Sequence, residues 1–100
     1  MADVRTDIKG IDKFIFEGGL DDNKLHLHIS QVDPGTRAHP SHTHDGQEIF
    51  YVFEGNSEVA VGEQIHQLSD NQAILVDCQV EHGIRNVGST PLRYAVIIAH

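Results

Sequence analysis

The feature that most restricts what this chain can become is its rhythm of short runs of strand length, divided by turn residues at nearly even spacing. The runs are FIFE (14–17), KLHLHISQV (24–32), SHTH (41–44), EIFYVF (48–53), SEVAV (57–61), QIHQL (64–68), QAILV (72–76), EHGIRNV (81–87) and PLRYAVIIA (91–99). They are separated by GGLDDN, DPG, DGQ, EGN, GE, SDN, DCQV and GST, segments rich in the residues that favour tight turns. Only VRTDIKGIDKFI offers room for one helical turn, and Gly10 weakens it. Many short strands at regular intervals predict an all-β sandwich or barrel. A barrel also removes the exposed edges that an open sheet leaves.

At 100 residues the chain is read as one domain, 1–100. A chain of this size buries roughly 60–70% of its unfolded surface, enough for one modest core and one pocket. The first twelve residues, MADVRTDIKGID, lack an apolar stretch of signal length, and no run approaches a membrane span. A cytoplasmic location is expected. Cys78 is the only cysteine, so no internal disulfide and no paired-cysteine metal knuckle can form. Fifteen acidic residues against seven basic ones give a net charge of −8. That charge repels a phosphate backbone and argues against nucleic acid or an anionic membrane as partner.

Eight histidines are many for such a chain, and three fall in HPSHTHDGQEIFYVFEG, residues 39–55. His42 and His44 share one face of a strand, because side chains alternate. Whether Glu48 joins them depends on the turn. A two-residue Asp45-Gly46 hairpin would turn Glu48 away from the histidines. A three-residue loop, Asp45-Gly46-Gln47, pairs His44 with Glu48 and His42 with Phe50, and brings all three candidate ligands together above Phe50 and Val52. The second register is preferred, since it gives Glu48 a partner. A fourth ligand must come from a distant strand. His82 is the best candidate, because it follows the apolar run AILV and a turn and opens another strand. Three imidazoles and a carboxylate suit one divalent transition metal per chain: Fe, Mn, Ni, Cu or Zn.

With these residues in place the sequence resembles the cupin family of small antiparallel β-barrels. The family's first motif, G-x(5)-H-x-H-x(3,4)-E-x(6)-G, is matched by His42, His44, Glu48 and Gly55, with Gly35 one residue farther upstream than usual. The second motif, G-x(5)-P-x-G-x(2)-H-x(3)-N, is degraded. Asn71, Asp77 and Gln79 stand where glycine, proline and glycine belong, while His82 and Asn86 match. Asn71 is a tolerable substitute because asparagine also visits positive φ; the loop at 77–81 departs from the pattern. The resemblance covers about residues 24–99 and implies a double-stranded β-helix, or jelly-roll, barrel. It also implies a metal-binding set of His42, His44, Glu48 and His82, and a homodimer formed by packed sheets or exchanged N-terminal strands. The family includes dioxygenases, decarboxylases, isomerases, lyases and non-enzymatic sensors, so the fold alone does not fix a reaction.

The remaining residues sort by parity. His39 is a candidate for the pocket rim. His26 and His28 alternate with Leu25, Leu27 and Ile29 and are most simply the polar face of a half-buried strand, with one of them lining the barrel mouth as the alternative. His66 and His100 are read as surface residues, and Cys78 as a small buried hydrophobe, with a redox or ligand role as the alternative. Arg85 is out of phase with His82 and should face outward beside an acid. Phe50, Val52, Gln47, Arg37 and Tyr94 are the candidate substrate-pocket residues: Phe50 and Val52 as dry wall, Gln47 orienting a histidine, Arg37 reaching the mouth, and Tyr94 either donating a hydrogen bond to substrate or filling the core. The expected function is a small metal-dependent enzyme in which Glu48 completes the metal sphere or acts as general base. Its ligand would be a small oxygen-chelating metabolite such as an enol, diketone or hydroxy acid. Dioxygenase-type chemistry is favoured, with isomerase or lyase chemistry behind it. The alternative is a non-catalytic metal or metabolite sensor.

Overall fold

The computed structural model describes residues 2–21 and 23–100. Among these the regular elements are nine strands and no helix: β1 (Asp3–Arg5), β2 (Phe14–Phe16), β3 (Leu25–Val32), β4 (Gln47–Glu54), β5 (Ser57–Val61), β6 (Gln64–Leu68), β7 (Gln72–Asp77), β8 (His82–Asn86) and β9 (Leu92–Ala99). All pairings are antiparallel. One sheet has the order β3-β9-β4-β7 and the other β6-β5-β8, with β1 and β2 forming a separate ribbon. The segment expected to hold a helical turn instead starts with β1, whose Val4 pairs with Ile15 of β2. β-branched Val and Ile at these places favour the extended ladder over a turn that Gly10 interrupts.

Alternation decides which side chains go inside. Along β4, Glu48, Phe50 and Val52 are buried, while Ile49 and Tyr51 face outward and are only half covered. Along β9, Tyr94 and Val96 are buried like their β4 partners Val52 and Phe50, and Leu92 is buried beside Val32 of β3. Val32, Val76, Val59 and Ile84 complete a core between the two sheets. Arg85 faces outward, as parity predicts, with its guanidinium 3.9 Å from the Glu58 carboxylate on the neighbouring strand.

Two turns fix the ends of these strands. Asn71 has φ of 60°, the only positive φ at a non-glycine among the described residues. Its side chain accepts a hydrogen bond from the Tyr51 hydroxyl and its backbone N–H donates to Val52. Asn86 is fully buried. Its amide donates to the carbonyls of Val32 and Thr90 while its oxygen accepts from the Gly88 N–H. Both asparagines of the degraded second motif therefore hold the backbone rather than touch the site.

The expected hairpin between residues 41–44 and β4 does not form. β4 already has β7 on one side and β9 on the other, so no free edge remains for it. The segment crosses instead to β8. His42 and His82 exchange both backbone hydrogen bonds at 3.0 Å, His44 donates to the Cys78 carbonyl at 2.9 Å, and Cys78 donates to Gly46 at 3.1 Å. Gly83 permits the crossing, because a Cβ there would sit 2.6 Å from the Ser41 hydroxyl oxygen. Gly46, at φ of 98°, lies against the Ala99 carbonyl, where no side chain fits.

Candidate metal centre

Three separate pieces of chain bring the candidate ligands together. His42 and His82 sit directly opposite each other in the bridge between residues 41–44 and β8, so their rings lie on one side, 4.8 Å apart. His44 stacks on His42 at 5.0 Å and lies edge-on to His82 at the same distance. Glu48 comes from β4, on the inner row between Val76 and Ile98. The grouping arises by a different route from the expected hairpin, with histidines from the crossover to β8 and the carboxylate from the opposite sheet. His44, Glu48 and His82 fall in one group of converging ligand atoms, whereas His42 stands beside that group and Cys78 is in it.

The ligand atoms of His44, Glu48, Cys78 and His82 all lie within 4.8 Å of one another, a spacing that could hold a metal ion. Glu48 Oε1 is 3.6 Å from His44 Nε2, and Oε2 is 3.1 Å from His82 Nε2. The second pair is close but not aligned as a hydrogen bond. Glu48 Oε2 and His82 Nε2 are both buried and without a hydrogen-bond partner. A carboxylate oxygen and an imidazole nitrogen left so in an apolar row cost free energy unless something electron-deficient sits between them.

The backbone sets the imidazole tautomers. Nδ1 of His42 faces the Pro40 carbonyl at 3.2 Å, Nδ1 of His44 the Asp45 carbonyl at 3.0 Å, and Nδ1 of His82 the Val80 carbonyl at 2.8 Å. A carbonyl can only accept, so each Nδ1 carries the proton and donates. With the Nδ1 proton so held, Nε2 is the nitrogen left to bind a metal. The chemistry of the donor set therefore fits a divalent transition metal.

Cys78 joins the cluster without any motif to announce it. It is fully buried, as expected of a small hydrophobe. Burial, with the Glu48 and Asp77 carboxylates nearby, pushes its thiol up to about 11. The sulfur is thus protonated at neutral pH. Only its backbone bonds to Gly46 and His44 hinted at its place, and these are not visible in the sequence.

A cavity of about 300 Å³ opens beside the cluster, lined by Phe50, Val96 and Ile98 and by His28, His39, His42, His44, Asp45, Glu48 and His100. Of the expected pocket residues, Phe50 lines it and four do not. Val52 is fully buried one pair deeper in the core. Tyr94 packs edge-on against Phe50 at 6.0 Å, with burial raising its phenol above the ordinary value. Gln47 is exposed in a groove with Leu75 and Asp77. Arg37 lies with Ser41, Glu58 and Arg85 in a groove at the other sheet. His28 and His100 were read as polar or surface positions, yet both line the cavity, and His39 stands at the rim. Inward parity along β3 places His28 in the row Val96–Phe50, a signal that needed the neighbouring strand to be known. His66 is exposed.

An antiparallel barrel with a carboxylate and imidazoles gathered at one end defines a class: small β-barrel proteins able to hold a metal inside. The cupin domain family matches residues 28–98, and the chain belongs to that family. Among solved structures it is similar to the TT1209 protein of Thermus thermophilus, with 26% identity, TM-score 0.71, and coverage of 80% of this chain and 76% of that one. It is similar to an uncharacterized Klebsiella pneumoniae protein with a double-stranded β-helix domain, at 24% identity, TM-score 0.69, and 81% and 71% coverage. An RmlC-like cupin family protein from Methanocaldococcus jannaschii shares the fold at 18% identity, TM-score 0.69, and 75% and 69% coverage. No curated protein matches the chain by sequence. The sheets and their order are those of a double-stranded β-helix.

Proposed function

We propose that this cupin is a small metal-dependent enzyme acting on an oxygen-chelating metabolite, with His42, His44, Glu48 and His82 holding one divalent transition metal. Dioxygenase-type chemistry is favoured, with isomerisation or lyase chemistry behind it. The observation that carries the reading is the buried pair of unpartnered atoms, Glu48 Oε2 and His82 Nε2, beside His44. A bound metal would supply Lewis acidity to a substrate oxygen. The chain's own residues do the rest. The three Nδ1–carbonyl bonds hold the rings so that Nε2 needs no reorientation. Phe50, Val96 and Ile98 keep water from the inner wall. Glu48 is the one carboxylate of the cluster, and it either stays on the metal or takes a proton from substrate.

Two further readings go with this one. The outer face of the four-stranded sheet carries the apolar row Leu27–Ile97–Ile49–Leu75, and Leu75 is 64% exposed. We read this face as the contact of a homodimer, since a continuous apolar row facing water is unfavourable. The single buried thiol suits a reducing compartment such as the cytoplasm.

The test is metal analysis of the purified protein, followed by oxygen uptake across a panel of enolisable carbonyls and hydroxy acids. Oxygen loss that disappears in His44→Ala is the expected result. Tight ligand binding with no turnover in any assay would move the protein to the non-catalytic class. A purified protein that retains no transition metal from a metal-supplemented culture would end the proposal.

A further inference from the structure

The cavity beside the cluster is notable for what its wall lacks. Two acids, Asp45 and Glu48, three apolar side chains and five imidazoles line it, and among the described residues no lysine or arginine does. The seven basic residues are all accounted for elsewhere. Arg5 and Lys9 line an adjoining cavity under the N-terminal ribbon that shares His28 with this one, and Arg5 is paired with Asp7. Arg93 covers the Phe53 ring on the outer face, and Arg85 lies beside Glu58. Arg37, expected to reach the mouth, is in the groove at the other sheet. Lys13 and Lys24 are exposed and do not line the cavity.

We propose that the cavity takes an uncharged, partly apolar molecule bearing two neighbouring oxygens, and excludes carboxylates and phosphates. The inference rests on the reading that the cluster holds a metal, and it narrows the ligand of that same site. A carboxylate entering a half-closed apolar cavity loses hydration and needs a fixed cation in return. Here none is built. A divalent ion held by Glu48 would leave one net positive charge, which the Asp45 carboxylate at the rim offsets. An uncharged hydroxyketone loses far less on entry, and its carbon skeleton meets Phe50, Val96 and Ile98. Of the five imidazoles on the wall, His28 does not restore a cation. His28 Nδ1 is 2.6 Å from His26 Nε2. Burial, then the neighbouring His26, Lys9 and His39, lower His28 to about 4. It therefore offers a hydrogen bond at neutral pH rather than a charge.

The probes are 3-hydroxybutan-2-one and lactate, which share a skeleton and differ by a methyl group against a carboxylate oxygen. Binding is measured by ligand-observed NMR on zinc-loaded and on zinc-free protein, and zinc retention is measured separately by metal analysis. The expected result is hydroxyketone binding at least about tenfold tighter than lactate in both forms. His100→Lys adds a cation at an exposed rim position without disturbing the core and should reduce that ratio severalfold, as should Ile98→Arg. Lactate binding as tightly as the hydroxyketone to the unsubstituted protein overturns the inference, and so does no measurable hydroxyketone binding to either form. Loss of zinc retention alone overturns the metal reading, while the preference seen on zinc-free protein still decides the charge question.

Discussion

Glu48→Gln should stabilise the metal-free protein and lose most or all of that advantage when metal is bound. The Glu48 carboxylate is 3% exposed, flanked by Val76 and Ile98, and its Oε2 makes no hydrogen bond. Leaving a buried polar group unsatisfied costs about 1–3 kcal/mol, and more when it is charged. The glutamine amide is uncharged and can donate to the His82 Nε2 lone pair that now lies 3.1 Å away without a partner. The metal-free variant should therefore be more stable than the wild type by about 1–3 kcal/mol. In a domain of this size that raises Tm by roughly 5–15 °C. Zinc at about a hundred times its Kd should stabilise the wild type by about 2.7 kcal/mol. Glu48→Gln should show little of that gain, since a neutral amide is a poor ligand for a divalent ion. Circular-dichroism melts in chelator and in excess zinc measure all four numbers. A metal-free Glu48→Gln protein that melts below the wild type would refute the reasoning. It would mean that Glu48 and His82 already form a favourable ion pair, whose loss costs about 3–5 kcal/mol.

Other outcomes follow from particular contacts. Gly83→Ala should force residues 41–44 off β8, because the new methyl meets Ser41. It should destabilise by about 1–3 kcal/mol and lower zinc affinity by more than the melting shift alone implies, a difference that titration calorimetry measures. Acid should weaken the metal-free fold between about pH 6.5 and 4, because His28 takes up its proton in the unfolded chain before it does so in the folded one, where its pKa is about 4. Stability from this group is present above pH 6.5 and is lost as pH falls, so His28→Gln should show a shallower slope in that window in urea titrations. Leu75→Lys on the outer face should turn a dimer into a monomer in sedimentation while leaving zinc retention unchanged.

The sequence determined the class of fold and the kinds of atom at the site. Alternation within EIFYVF sent Glu48, Phe50 and Val52 to one face and Ile49 and Tyr51 to the other, as found. The spacing of His42, His44, Glu48 and His82 matched the cupin pattern; His44, Glu48 and His82 converge with Cys78, and the His42 ring lies beside them. Asn71 took the positive φ its position required. Which strand lies beside which was a different matter. Period two fixes the face a side chain takes, but not the neighbour it meets, because backbone hydrogen bonds are the same at every residue. Residues 41–44 were paired with β4 on local turn chemistry, yet β7 and β9 hold both edges of β4, and only the closed barrel reveals this. For the same reason a ligand role for Cys78 and a place at the mouth for His28 stood only as alternatives to blander readings, and His100 on the cavity wall and Arg37 in the far groove could not be read from the chain. Their positions depend on contacts between segments far apart in sequence, set by where the sheets close rather than by any residue's own preference.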